Sequence, residues 1–195
     1  MAYNQTSPHR TVDELVHVVR VIASHFGTES VVIIGSQAIL VSDPEAPFDM
    51  CTSMEIDAFP ADADRWEAIH PGAEASEEIN ALFGQDSGFH RSFGFYIDGV
   101  DKRTAHLPSD WHRRRIERPV DVDGRTVTAV APDPLDLLVS KLARLDPKDK
   151  RWARTYRHHY GIDVAELGRR LDRTDIEAEK RRLIDQFIAG TGETG

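Results

Sequence analysis

The feature that most constrains the fold of this chain is a pair of acids at the start of a short apolar run. Residues 31–34 form one apolar run, which ends in Gly35-Ser36. A second run begins with Glu55 and Asp57, which a single apolar residue separates. Short runs rich in β-branched or aromatic residues and bounded by turn residues are typical of buried strands. The sequence therefore predicts two strands, with a tight turn after the first and two acids at the start of the second.

The spacing of the two acids predicts that they share one face of their strand. Side chains alternate across a strand, so Glu55 and Asp57 are expected to lie about 7 Å apart along the backbone. Met54, Ile56 and Ala58 would then face the core. Two neighbouring carboxylates repel each other unless a cation lies between them, and Mg²⁺ prefers oxygen ligands. The pair therefore indicates a metal site, and two solvated acids on an exposed edge strand are the alternative.

Gly35-Ser36 lies where the first strand is expected to turn into a helix. The free N–H groups of such a turn form a ready site for an anion, and the Ser36 hydroxyl can contact a terminal phosphate. A phosphate site next to a metal-binding acid pair is a more specific signal than either feature alone. Together they predict a site for a polyphosphate and a divalent cation.

Charge is divided unevenly along the chain. The net charge of −9 taken alone argues against a polyanionic partner. Residues 41–101 carry 2 basic and 14 acidic residues, net −12, whereas residues 102–160 carry 14 basic and 8 acidic residues, net +6. The acidic part is suited to hold cations and the basic part to meet phosphates; two solvated faces of opposite sign are the alternative.

Composition favours a cytoplasmic location. Hydrophobic residues are 40% of the chain, and no apolar run approaches the roughly 20 residues that span a bilayer. The single cysteine, Cys51, excludes an internal disulfide and fits a reducing compartment; it is interpreted as a packing residue rather than a nucleophile. The histidines have no pair at zinc-ligand spacing, so no zinc site is expected.

Local patterns predict an α+β (mixed α/β) fold. Thr11 and Glu14 form a capping box before a helix that Gly27 ends. Residues 92–100 alternate and predict a strand, and Asp123-Gly124 predicts a hairpin turn. After Pro132 the pattern is helical. The predicted division is a core over residues 1–131, a helical portion over 132–190 that completes the site, and a disordered tail over 191–195.

These motifs resemble a known superfamily. The segments IIGSQAIL and TSMEID resemble the signature of the DNA polymerase beta-like nucleotidyltransferases, in which strand–Gly-Ser–helix precedes an acid-x-acid strand. The segments FGFYIDGVDKRTAHLPSDWHRRR and APDPLDLLVSKLARLDPKDKRWA are similar to the bacterial branch that includes AbiEii-like and MenT-type toxins. The resemblance covers roughly residues 30–165. It implies a nucleotidyltransferase-fold sheet flanked by helices, followed by a helical portion.

The resemblance also implies roles for individual residues. Those expected to bind the nucleotide are Gly35, Ser36, Lys141 and Lys148; those expected to hold Mg²⁺ or Mn²⁺ are Glu55, Asp57 and, as a third acid, Asp98; Ser53 and Asp149 are additional candidates.

Three of these assignments leave alternatives open. Family members usually carry Asp where this chain has Glu55, and Asp101 is a second candidate for the third acid. Lys141 lies beside the apolar stripe of its helix, so a lysine that merely extends toward solvent is the alternative to a phosphate contact. Asp149 is equally well explained as an acid in the first turn of a helix.

The function implied by the resemblance is Mg²⁺-dependent transfer of a nucleoside monophosphate from a triphosphate such as ATP, with release of pyrophosphate. The acceptor would be RNA, foremost a tRNA 3′ end, and the protein would be a toxin with an antitoxin partner. Transfer to a small molecule or protein, and a non-catalytic nucleotide-binding module, are the alternatives. Basic residues could follow a polynucleotide backbone while Trp111, Trp152 and Tyr156 stack bases, or they could form a solvated face with core anchors.

Overall fold

The computed structural model describes residues 9–190 of the chain. The tail predicted to be disordered, residues 191–195, lies outside the described residues. The strands are β1 (Ser30–Ile34), β2 (Glu55–Pro60), β3 (Tyr96–Gly99), β4 (Ile116–Val122) and β5 (Arg125–Ala131). The helices are α1 (Val12–Phe26), α2 (Ile39–Ser42), α3 (Ala63–Ile69), α4 (Ala75–Phe83), α5 (Gly88–Phe93), α6 (Pro134–Arg144), α7 (Pro147–Tyr160), α8 (Val164–Leu171) and α9 (Ala178–Gly190).

The fold is mixed α+β, as the sequence predicts. Its five-stranded sheet within residues 9–190 has the order β3-β2-β1-β5-β4. The pairs β1–β5 and β2–β3 are parallel, and β1–β2 and β4–β5 are antiparallel. No helix in this part of the chain is long and apolar enough to cross a membrane. Because β1 is the central strand, its carboxyl end, which leads into Gly35, lies between the neighbouring strands β2 and β5.

Side chains of β1 supply both faces of the sheet with buried apolar groups. Val31 and Ile33 join the main core, which also includes the buried face of α1. Val32 and Ile34 point the other way and join a smaller cluster with Phe59 and neighbouring residues. A strand covered on both faces reads as a continuous β-branched run, which is the pattern seen here.

Two local sequence signals are confirmed. The Thr11 hydroxyl accepts a hydrogen bond from the Glu14 N–H while the Glu14 carboxylate accepts one from the Thr11 N–H, and Gly27 ends α1 in a left-handed conformation. The hairpin joining β4 to β5 turns at Asp123 and Gly124, with φ values of 53° and 82°. Positive φ at both positions is the type I′ geometry that an Asp-Gly pair favours.

The strand predicted over residues 92–100 is wrong in its first half. Residues Gly88–Phe93 form α5, and the strand is confined to Tyr96–Gly99. The Ser87 hydroxyl caps α5 by accepting from the His90 N–H, and Gly94 ends it with φ of 74°. This capped turn takes precedence over the alternating pattern.

The helices after β5 pack against the rest of the structure. Leu138 of α6, Trp152 of α7 and Leu167 of α8 are all buried in the main core together with residues of the sheet. An ion network connects α6 with α8 and with the segment before β4: the fully buried Asp136 carboxylate contacts the guanidinium groups of Arg114 and Arg170. A buried carboxylate is tolerated only when it is paired and hydrogen-bonded, so both arginines are needed there.

Replacing Arg170 with alanine is expected to lower the free energy of unfolding by about 3 kcal/mol, because Asp136 loses one of its two buried partners. Urea denaturation followed by circular dichroism measures the change. Arg169→Ala is the matched control: Arg169 is 59% exposed and forms a surface ion pair with Glu166, so its loss is expected to cost less than about 1 kcal/mol. Equal costs for the two variants would contradict a stabilising role for the network.

Candidate functional site

The Gly35-Ser36 bend brings the backbone after β1 against an acid of β2. Gly35 has φ of 71° and ψ of −158°, a conformation that suits glycine almost exclusively. A Cβ atom at Gly35 would lie 1.8 Å from Oδ2 of Asp57. Only a residue without a side chain allows the Asp57 carboxylate to lie directly against this turn.

The acids of two neighbouring strands share one face of the sheet. Glu55 and Asp57 are partly buried, whereas Ile56 and Ala58 are fully buried on the opposite face, as the alternation predicts. Met54, which was also expected in the core, is only partly buried.

Asp98 is the register partner of Asp57 across β2 and β3. Asp101 is exposed and pairs with Arg103. The structure therefore brings Asp98, not Asp101, next to the acid pair.

Mutual repulsion changes the protonation behaviour of these acids. Burial raises the pKa of Asp57 to about 6, and the charges of Asp98 and Glu55 contribute to the rise. Burial, followed by the charge of Glu55, also raises the pKa of Asp98. Perturbed carboxylates of this kind cluster at functional sites, because the free energy they cost is tolerated only where their charge is used.

Glu55 is held by groups on three sides. Its Oε2 accepts a hydrogen bond of 3.2 Å from the Tyr96 hydroxyl, and its Oε1 lies 3.4 Å from Nζ of Lys148. Burial acts to raise the pKa of Glu55, but hydrogen bonding with Ser53 and the Lys148 charge outweigh it and lower that pKa. Lys148 also donates to Ser53. Ser53 and Lys148, both predicted candidates, thus meet at Glu55.

Lys141 reaches the bend from α6. It is 3% exposed, and its Nζ donates a 2.8 Å hydrogen bond to Oγ of Ser36. Its ammonium group lies 3.5 Å from Oδ1 of Asp149. Burial, followed by the charge of Arg144, lowers the pKa of Lys141 to about 8. The side chain points into the protein, so the alternative of a lysine extending to solvent does not describe its geometry.

Asp149 connects α7 to the same cluster. It lies in the first turn of α7, is 3% exposed, and accepts two hydrogen bonds from the Arg144 guanidinium. Asp149 is therefore both a first-turn acid and the anion that holds Lys141 and Arg144 in place.

A groove of about 550 Å³ adjoins the bend, between α7 and residues 49–52. We call it the α7 groove. Ser36 lies at its edge, and Trp152 forms part of its lining while its indole N–H donates to the Met50 carbonyl. The remaining lining residues are Asp49, Met50, Thr52, Lys148, Arg151, Arg154 and Thr155.

Two of the three aromatics predicted to stack bases are not available for stacking. Trp152 is 3% exposed and Tyr156 is 6% exposed, and both belong to the main core. These two rings are core anchors, the alternative that the sequence had left open. Trp111 is partly buried against the smaller cluster.

Several of the basic residues are also engaged internally. Arg114 pairs with Asp110 and Asp136, Arg115 with Glu117, and Arg118 donates to the Val41 carbonyl. Three basic residues of α7, in contrast, line the α7 groove: Lys148, Arg151 and Arg154.

The chemistry of the acid cluster fits a hard divalent cation. Asp57 and Asp98 supply adjacent carboxylate oxygens whose repulsion a cation would relieve. Across residues 9–190, however, no three His, Cys, Asp or Glu side chains are already arranged around a common point. Glu55 is directed to Tyr96 and Lys148 instead, so it would have to turn to join the other two acids.

Cys51 is fully buried, and burial raises the pKa of its thiol to about 11, so packing suffices to explain it.

Sequence reasoning missed Tyr96 and Arg144 as site residues. Tyr96 lies two residues before Asp98 and so on the same face of β3, and it is the register partner of Glu55. The alternation could have placed it on the acidic face, but only the pairing of β2 with β3 identifies its partner. Arg144 lies about one turn after Lys141 in α6. The helical spacing of the two residues could be seen in the sequence, but nothing in it indicated that Arg144 contacts Asp149.

Gly35→Ala is expected to lower the free energy of unfolding by about 1–3 kcal/mol. The new methyl group would clash with the Asp57 carboxylate, and the backbone conformation at this position disfavours any residue with a Cβ atom. Thermal or urea unfolding measures this. Gly168→Ala in α8, where a Cβ meets open space, is the control and is expected to be neutral or stabilising by up to about 1 kcal/mol. A neutral Gly35→Ala would contradict the close contact.

Asp57→Asn is expected to raise the free energy of unfolding at pH 7 by about 2 kcal/mol, since it removes a buried charge that its neighbours repel. Because the folded-state pKa is raised from the ordinary 3.8 to about 6, the wild-type protein loses stability as the pH rises through this window. The advantage of the variant should be complete above pH 6 and absent below about pH 4.

Urea titrations at pH 7 and pH 4 in the presence of EDTA measure this effect, with the exposed Glu177→Gln as the control. A variant that is less stable than the wild type at pH 7 would refute the proposed repulsion.

Comparison with known proteins identifies the family. The family model described as "Nucleotidyltransferase of unknown function (DUF6036)" matches residues 10–189, nearly the whole chain. Searches of the curated proteins and of the solved structures found no significant match. The bend, the acid pair and the buried lysine thus lie in a chain that belongs to the DUF6036 family of nucleotidyltransferases.

Proposed function

We propose that the protein transfers a nucleoside monophosphate from a nucleoside triphosphate to RNA with the help of Mg²⁺. The observation that carries the proposal is the 2.8 Å hydrogen bond between Lys141 and Ser36, formed beside the Asp57–Gly35 contact. It places a buried cation at a turn suited to anions, next to paired carboxylates, in a chain of a nucleotidyltransferase family. A binding site for phosphates alone would not need the acids.

Ser36, Lys141 and Lys148 are the groups that we assign to the triphosphate. Backbone N–H groups at a turn and a serine hydroxyl donate to phosphate oxygens, and the two lysines offset the charge of the leaving pyrophosphate. Lys141 keeps its proton at pH 7 because its pKa, although lowered, is about 8. It would lose much of its charge above that pH, so phosphate binding should weaken there.

Glu55, Asp57 and Asp98 are the residues that would hold Mg²⁺ or Mn²⁺. The metal would supply charge neutralisation on the phosphates and a more acidic acceptor hydroxyl. In the reaction, the acceptor hydroxyl oxygen forms a bond to the α-phosphorus and the bond to pyrophosphate breaks, with the two oxygens in line. The hydroxyl proton passes to a carboxylate of this cluster, and we assign it to Asp98.

RNA is the acceptor class that we favour. Support comes from the α7 groove, whose basic residues adjoin the bend, and from the net charge of +6 over residues 102–160. The resemblance to AbiEii-like and MenT-type proteins extends the proposal to a tRNA 3′ end, a toxin role, a partner antitoxin and a cytoplasmic location. These last steps rest on analogy, since fold alone does not determine the substrate.

A specific observation favours one alternative, a nucleotide-binding module without catalysis. Glu55 replaces the usual aspartate, and its two oxygens already contact Tyr96 and Lys148. Nucleotide binding that does not depend on Mg²⁺ and that survives Asp57→Asn would support this alternative. Transfer to a small molecule or protein is the remaining possibility, which the net charge of −9 favours.

The direct test incubates the protein with Mg²⁺, each labelled nucleoside triphosphate, and total tRNA, an aminoglycoside or a protein mixture as acceptor. Label is expected on RNA. Label only on the aminoglycoside or on protein would replace the RNA assignment, and absence of label with every nucleotide and acceptor would overturn the enzymatic proposal.

Asp98→Asn is expected to lower the transfer rate at least about 100-fold, because it removes a charged group from the reacting centre. Asp101→Asn is the control, since Asp101 is 49% exposed and pairs with Arg103, and its rate should stay within about twofold of the wild type. Equal rates for Asp98→Asn and the wild type would remove Asp98 from the site.

A further inference from the structure

The α7 groove is lined by a row of three cationic side chains. Lys148, Arg151 and Arg154 recur at three-residue intervals in α7 and all line the groove. Asp49 is the one acid among its lining residues. From Lys148 to Arg154 the helix advances about 9 Å. Lys148 lies next to Glu55, whereas Arg151 and Arg154 extend the row of charge away from the acids.

The side chains of Arg151 and Arg154 are accessible to a ligand. Both are exposed, and Arg154 packs its guanidinium 5.2 Å from the ring centre of Phe187 in α9. That contact holds Arg154 while leaving its N–H groups for a ligand. The aromatic ring in the groove lining, Trp152, is 3% exposed, so the groove offers no open aromatic face on which a base could stack. This lining fits an anionic backbone better than a nucleobase.

We propose that Arg151 and Arg154 in the α7 groove bind the phosphodiester backbone of a single-stranded polynucleotide whose 3′ end reaches the Asp57–Asp98 cluster. This deepens the proposed function and rests on it for the role of the strand as acceptor. The groove adjoins the site through Ser36 and Lys148, so a strand lying in it would be continuous with the reacting centre. Contacts to phosphates would position the strand without selecting its sequence.

The proposal predicts the salt dependence of binding. When no nucleotide occupies Lys148, this lysine, Arg151 and Arg154 can each contact one phosphate. With about three phosphate contacts, the logarithm of the affinity should fall with the logarithm of salt concentration with a slope of about −2. Removing Arg151 and Arg154 should reduce the slope to about −0.7 and weaken binding by about tenfold or more at low salt.

The test measures fluorescence anisotropy of a labelled 12-nucleotide single-stranded RNA of mixed sequence, without nucleotide and at several salt concentrations. The Arg151→Ala/Arg154→Ala double variant is compared with the wild type and with Arg169→Ala/Arg182→Ala, which removes two exposed arginines outside the groove. Arg151→Glu serves as a second variant, because it leaves the Arg154–Phe187 contact intact. The expected result is a lower slope and weaker binding for both groove variants and no change for the control.

Three results would overturn the proposal. The first is an unchanged slope and affinity in the groove variants. The second is a loss of affinity for a nonhydrolysable nucleoside triphosphate in those variants with RNA binding intact, which would make the groove the site of the donor nucleotide. The third is binding of poly-glutamate as tightly as RNA, since the groove would then be a general anion surface.

Running the label-transfer assay on the same variants separates this inference from the proposed function. Wild-type protein that binds RNA through the two arginines but transfers no label would sustain the groove as an RNA site while refuting the transferase proposal. Groove variants that transfer label to RNA as well as the wild type does, with unchanged KM for RNA, would sustain the transferase proposal while refuting the groove as the RNA site.

Discussion

The hydrogen bond between Lys141 and Ser36 joins the two parts of the structure on which the site depends. Ser36 belongs to the turn after β1, whereas Lys141 comes from α6, 105 residues later. Lys141 is 3% exposed, and its lowered pKa reflects a charge that burial disfavours. A buried ammonium group persists only when anions and acceptors compensate it, so Asp149 and the Ser36 oxygen are necessary to its position. Through this contact, α6 holds the Lys141 ammonium group at the turn that follows the central strand β1.

Burial disfavours the charged forms of both the acids and the buried lysine of the site, so each needs compensation by groups of opposite charge. Burial and neighbouring acids raise the pKa values of Asp57 and Asp98: Asp98 and Glu55 act on Asp57, and Glu55 acts on Asp98. Glu55 escapes this repulsion through Lys148 and Ser53, and its pKa is lowered. A protein selected for stability alone would replace such carboxylates with apolar or amide groups. The arrangement is understandable if a ligand brings both a cation for the acids and phosphates for the lysines.

How much the sequence could predict depends on how local each signal is. The ends of α1, the hairpin turn at Asp123-Gly124 and the shared face of Glu55 and Asp57 all follow from residues within a few positions of one another, and each was predictable. The strand expected over residues 92–100 failed because a serine cap at Ser87 and a glycine at Gly94 define a helix there. The partner of Tyr96 could not be predicted, because it depends on how β2 pairs with β3.

The acidic excess of the chain does not by itself decide its partner, because charge acts locally. At physiological salt, exposed charges separated by more than about 8 Å are largely screened from each other. Asp49 lines the α7 groove and Glu55 contacts Lys148, but the acids of residues 41–101 that lie farther away than this distance affect the groove much less than Lys148, Arg151 and Arg154, which line it. A polyanion bound there would meet a positive surface even though the molecule carries a net charge of −9. Away from the groove the same acids would repel the strand, so contact is confined to the few phosphates nearest the reacting end.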